Sequence, residues 1–171
     1  MLENIAGWLE ERDVPFALIG GVALAAYGLA RTTLDLDLLV DAEAQDDLIR
    51  FMEAEGYETL HRSAGYSNHI APSASAGRVD FVYVRGTTRD RVFAEVLHRT
   101  GPGGKSVPIA CPEHLIALKL TSIESDPERL LRDLADIRYL MRQPGVDLDA
   151  VRQQFERRGW EERFRELDPR S

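Results

Sequence analysis

The stretch Gly28–Asp41, GLARTTLDLDLLVD, decides how the rest of the chain is read. Leu34, Leu36 and Leu38 alternate with Asp35 and Asp37. Apolar and polar residues in strict alternation predict a strand with one buried face. Residues i and i+2 of a strand point to the same side, so the spacing puts the two carboxylates on one face, about 7 Å apart. Two like charges held together call for a cation between them, and a hard divalent ion with oxygen ligands fits best. The plain alternative is the solvated polar face of an edge strand. Asp80 weighs against it, because it repeats the pattern inside a second apolar strand, RVDFVYV (78–84).

Upstream, PFALIG reads as a short buried strand. The pair Gly20–Gly21 follows, and then the alanine- and leucine-rich GVALAAYGLA, a helix by propensity. Glycine lets a backbone approach a ligand closely, and strand–glycine–helix junctions suit phosphate. A tight turn with no ligand explains the pair equally well. The dinucleotide pattern G-x-G-x-x-G is absent, since Val22 and Ala23 follow the pair and the next glycine is Gly28.

The remaining pattern places helices at residues 2–12 and 42–56, and strands at 57–62 and 78–84. VFAEVLHRT is ambiguous between strand and helix. From Pro112 onward three helices are expected: PEHLIALKLTSIES; DPERLLRDLADIRYLMRQ, capped by Asp126; and DLDAVRQQFERRG, capped by Asp147 or Asp149. The fold class is thus α/β: a small mixed sheet of four to five strands flanked by helices, with C-terminal helices. It is expected as one domain over residues 1–171, with an α/β core over 1–110 and a helical part over 111–171.

Composition narrows the function. The 171 residues carry 29 acidic and 21 basic side chains, a net charge of -8, which disfavours a large nucleic-acid footprint. One cysteine, Cys111, allows neither an internal disulfide nor a thiolate metal cluster. The longest uncharged run, residues 14–30, contains three glycines and is too short and too broken to span a membrane. With no leader-like segment, a cytoplasmic location is expected. Two motifs are decoys. GPGGKS lacks the first glycine of a P-loop, Arg99 standing in its place, and the four histidines lack ligand spacing for zinc.

The combination of glycine pair, short helix, (S/T)-x-D-x-D strand and later strand aspartate resembles the DNA polymerase β-like nucleotidyltransferases. It looks most like their minimal and AbiEii-like bacterial branch. The resemblance covers residues 18–41 and extends to Asp80 and to the helical stretch EHLIALKL…RDLADIRYL. It implies that Asp35, Asp37 and Asp80 bind metal and carry catalysis, with one or two Mg²⁺ as cofactor. It implies nucleotide contacts from Gly20, Gly21 and Thr33, and a phosphate contact from Lys119 with Asp133 beside it. One departure is Gly21, where many members have serine.

Read by itself, Lys119 falls on the apolar side of its helix, and a lysine there needs a partner. Either Asp133 pairs with it or it reaches a phosphate, and both can hold together. Arg31 is read as a phosphate contact or a helix cap. Arg78 and Arg85 are read as surface ion pairs, with help to an acceptor as the alternative.

The expected reaction moves a nucleoside monophosphate from a nucleoside triphosphate to a hydroxyl. The acceptor is an RNA 3′ end such as that of tRNA, a protein side chain, or a small molecule such as an aminoglycoside. A toxin or resistance role and an antitoxin partner belong to the same expectation. The alternatives are a non-catalytic nucleotidyltransferase-like module that binds or regulates, and a plain metal-free nucleotide-binding domain.

Overall fold

The computed structural model describes residues 1–29, 33, 35–71, 73, 77–100 and 104–170. Its chain divides into two compact units, Met1–Ala110 and Cys111–Ser171.

The first unit is built on a mixed sheet. Its strands are β1 (Phe16–Ile19), β2 (Leu36–Asp41), β3 (Glu58–Arg62), β4 (Tyr66–Ile70), β5 (Arg78–Val84), β6 (Leu97–Thr100) and β7 (Ser106–Ile109). They lie in the order β3-β4-β5-β2-β1-β7-β6. β2 runs parallel to β5, and β1 parallel to β7; the other neighbours are antiparallel. Among the described residues, seven strands replace the expected four to five. The undercount has a physical reason. YSNHI and LHRT are short and polar, and most of their side chains are at least partly exposed, so they carry little apolar alternation, whereas ETLHR forms the strand expected at 57–62. β3 and β6 are edge strands, where burial demands least of the sequence.

The central strands behave as the sequence predicts. β1 is buried at every position, as an apolar run flanked on both sides should be. On β5, Val79, Phe81 and Tyr83 face the core. The alternation on β2 stops after Leu38, because Leu39, Val40 and Asp41 are all buried. Fully burying side chains such as Leu38 and Phe81 contributes roughly 1.5–3 kcal/mol each. Helices α1 (Leu2–Glu10), α2 (Gly20–Ala26), α3 (Gln45–Ala54) and α4 (Gly86–Ala94) complete this unit. Trp8 of α1 stacks on Phe51 of α3 with ring centroids 5.1 Å apart. The ambiguous VFAEVLHRT divides into the end of α4 and the edge strand β6.

The second unit is helical: α5 (Pro112–Ser125), α6 (Leu130–Leu140), α7 (Leu148–Glu156) and α8 (Glu161–Leu167). Pro112 occupies the first turn of α5, where its missing N–H costs nothing. Asp126 caps the 3-10 turn Pro127–Arg129 ahead of α6, accepting from the Glu128 N–H, and Asp147 caps α7. Three helices were expected and four form. The fourth, EERFREL, hides in the sequence because it buries one large side chain, Phe164, which packs edge-on against Phe155 at 5.6 Å. No helix among the described residues is long and apolar enough to cross a membrane.

Candidate functional site

The site begins with strand register. β2 and β5 are parallel neighbours in which Asp37 lies opposite Asp80. Paired residues share a face, so two carboxylates distant in sequence stand side by side. Asp35 sits just before β2 rather than within it. Its carboxylate is tied to the others through Arg78, whose Nη2 lies 3.5 Å from Asp35 Oδ2 and whose Nε lies 3.1 Å from Asp80 Oδ1.

The glycine pair meets the same place. Gly20 has φ +62°, and a Cβ built there would lie 1.9 Å from Asp37 Oδ2 and 2.9 Å from Asp37 Cβ. Gly20 therefore adopts a conformation that disfavours other residues and leaves room that Asp37 fills. A Cβ on Gly21 would lie 2.8 Å from Thr33 Cγ2. Thr33 Oγ1 in turn lies 3.2 Å from the backbone N–H and from the backbone oxygen of Asp35. The turn, Thr33 and the aspartates thus form one contiguous cluster.

Its electrostatics are unbalanced. Asp80 is buried, and burial raises its pKa, with the Asp35 charge adding to the effect; Arg78 and a hydrogen bond from Tyr66 oppose it. Tyr66 is pushed up to about 12, by burial first and by Asp80 next. Although Arg78 Nε is near, Asp80 Oδ1 accepts no well-aligned hydrogen bond among the described residues. Asn68, opposite Asp80 on β4, likewise has a buried Oδ1 without a hydrogen-bond partner there.

Asp35, Asp37, Asp80, Gly20, Gly21 and Thr33 are thereby brought together. Arg31 lies outside the described residues. Lys119 and Asp133 belong to the C-terminal unit, where Lys119 Nζ lies 2.9 Å from Asp133 Oδ1 and 2.6 Å from Asp136 Oδ2. Burial pushes the Asp133 pKa up, but Lys119 and Arg129 outweigh it and hold the group below its ordinary value. The pairing of Lys119 with Asp133 is present, and Asp136 is as buried as Asp133. Arg85, expected in a surface ion pair, instead donates to the Ala64 carbonyl at 2.7 Å. Tyr66 and the bridging role of Arg78 have no motif of their own in the sequence. Their places depend on which strands neighbour β5, which no local pattern announces.

Three carboxylates around a parallel strand pair, with a glycine turn against one of them, define the arrangement expected of a nucleotidyltransferase. Residues 1–167 match the family model described as "Uncharacterised nucleotidyltransferase", and the chain belongs to that family. It is a nucleotidyltransferase with no acceptor specified by that assignment. No curated protein sequence matches the chain.

Solved structures share the fold at low identity. The antibiotic-resistance factor ANT(2'')-Ia in solution superposes with a TM-score of 0.70 at 17% identity, over 97% of this chain and 92% of that one. The lincosamide antibiotic adenylyltransferase LnuA, lincomycin-bound, gives 0.55 at 17% identity, over 82% and 94%. An antigenic nucleotidyltransferase-like protein from Paracoccidioides brasiliensis gives 0.55 at 13% identity, over 96% and 89%.

Proposed function

We propose that the chain is a single-domain, Mg²⁺-dependent enzyme that moves a nucleoside monophosphate from a triphosphate to the hydroxyl of a small molecule. The observation that carries this is the register of Asp37 against Asp80 on parallel strands, with Asp35 joined to Asp80 through one guanidinium.

The donor set fits a hard divalent cation. All three groups supply oxygen, Asp80 Oδ1 is buried without a well-aligned donor, and Arg78 already supplies positive charge between two of the carboxylates. Asp35, Asp37 and Asp80 would hold the metal. When bound, it would neutralise phosphate charge and make the acceptor hydroxyl more acidic.

The chain's own residues supply the rest. Asp80, desolvated by burial and hydrogen-bonded by Tyr66, would act as the base toward the acceptor hydroxyl. Gly20 and Gly21 let the backbone come close to the triphosphate, with Thr33 beside them. Lys119, oriented by Asp133 and Asp136, is assigned to phosphate by resemblance, as is Arg31.

A small-molecule acceptor is favoured for two reasons. The net charge of -8 works against a long RNA footprint. Among fold neighbours, ANT(2'')-Ia is known in complex with adenylyl-2''-tobramycin, and LnuA is lincomycin-bound. A place in the AbiEii-like branch, with a protein or tRNA acceptor and an antitoxin partner, is the second reading. It is supported by the glycine-pair form of the turn, with Gly21 where serine is common.

The test is transfer of label from each α-labelled triphosphate to tobramycin, lincomycin, tRNA and casein. Label on either antibiotic that Asp80→Ala abolishes supports the proposal. Label on tRNA or protein alone supports the second reading and overturns the first.

A further inference from the structure

Arg78 stands where a metal site needs positive charge. Its guanidinium reaches two carboxylates from different segments, Asp35 ahead of β2 and Asp80 within β5, at 3.5 and 3.1 Å. It contacts the same oxygens that the proposed metal would require. It is also loosely held. The Arg78 side chain is 44% exposed and follows Gly77, whose φ is +73°. Among the described residues Asp80 Oδ1 accepts no well-aligned hydrogen bond, and Arg78 approaches it through Nε alone, so the contact is not a bidentate fork. Arg78 and Asp35 are 44% and 46% exposed, and an ion pair so exposed is weak enough for a divalent ion to outcompete.

Arg78 is thus the positive charge shared by Asp35 and Asp80. A resident cation that can leave would hold these two carboxylates in place in the resting site.

We propose that Arg78 is a positioning residue that holds the place of the divalent cation in the resting protein and is displaced when the metal enters. The inference rests on the metal-dependent reading of this site. Metal affinity is then set partly by competition with a side chain of the protein itself. The site stays assembled when empty, at the expense of weaker metal binding.

The experiment is calorimetric titration of Mg²⁺ alone into wild type, Arg78→Gln, Arg78→Lys and Asp35→Ala/Asp37→Ala, at low ionic strength. A unit charge opposing a divalent ion across such a site at water's dielectric costs about tenfold in affinity. Arg78→Gln should bind Mg²⁺ about tenfold tighter than wild type. Arg78→Lys, which keeps the charge without the fork, should stay within about threefold of wild type. A merely structural arginine would give the opposite sign, because its loss would disorder the aspartates and weaken metal binding.

A second readout uses wild type alone and survives any misfolding of the variants. The Arg78 Nε–H resonance should shift on titration with Mg²⁺, with the same midpoint as the heat signal. If Mg²⁺ binds through the aspartates but Arg78→Gln binds no tighter and the Nε–H resonance stays put, displacement is overturned while the metal site stands. If wild type binds no Mg²⁺, or binds it without Asp35 and Asp37, the metal site and the displacement fall together.

Discussion

Replacing Gly20 by alanine separates a glycine kept for its backbone from one kept for what lies against it. At φ +62° any residue with a Cβ costs roughly 1–2 kcal/mol. Gly86, at φ +56°, carries the same cost, but nothing lies within 4 Å of a Cβ built there. Gly86→Ala is therefore the control, expected to lose about 1–2 kcal/mol and no function. Gly20→Ala adds a clash with Asp37 that no rotamer relieves, because Asp37 Cβ itself lies 2.9 Å from the new atom. Backbone must shift, and overpacking of this kind costs a further 1–3 kcal/mol or so. The displaced carboxylate should also lower Mg²⁺-dependent triphosphate affinity by at least about tenfold, the loss of one good ligand contact. Urea unfolding gives the first quantity and calorimetry the second. If Gly20→Ala and Gly86→Ala matched in both, the glycine pair would have no special bearing on Asp37, and the reading of the turn as part of the site would be refuted.

Two further predictions concern buried polar groups and stability. His69 is fully buried, its Nδ1 3.1 Å from Thr59 Oγ1 and its Nε2 2.9 Å from Ser67 Oγ. Burial lowers its pKa from 6.5, with Glu53 working weakly the other way, so the unfolded chain takes the proton first. Its contribution to stability is complete above about pH 6.5 and is lost as pH falls through the lower folded value; urea unfolding from pH 7.5 down to 5 should show this slope, and His69→Gln should flatten it. Lys119→Met removes the ammonium shared by Asp133 and Asp136 and should cost about 3–5 kcal/mol in urea unfolding, with Asp136→Asn added to the same chain recovering part of it.

The contrast between what was legible and what was not follows from where information sits in a chain. Asp35, Asp37 and the glycine pair lie within 18 residues of one another, on elements with strong periodicity, so their meeting follows from local structure. Asp80 was legible because a carboxylate flanked by Val79 and Phe81 contradicts the apolar character of its strand. The sheet's true width was not, because β4 and β6 are polar and lean on neighbours rather than on their own burial. Tyr66 and Arg78 were hidden for a related reason. Tyr66 reaches Asp80 only because β4 pairs with β5, and Arg78 reaches Asp35 only because β5 pairs with β2. Helix α8 escaped notice because Phe164 stands alone among charges, and one apolar residue makes no periodicity.

The account stands or falls on whether the carboxylates act through a metal on a triphosphate. Calorimetric titration of each of the four ribonucleoside triphosphates into the protein, with and without Mg²⁺, puts this to the test in wild type and in Asp35→Ala/Asp37→Ala. Binding that requires both Mg²⁺ and the aspartates, and that selects among the bases, is the predicted result. Binding indifferent to metal and to the substitutions, or no binding at all, would contradict the site assigned here.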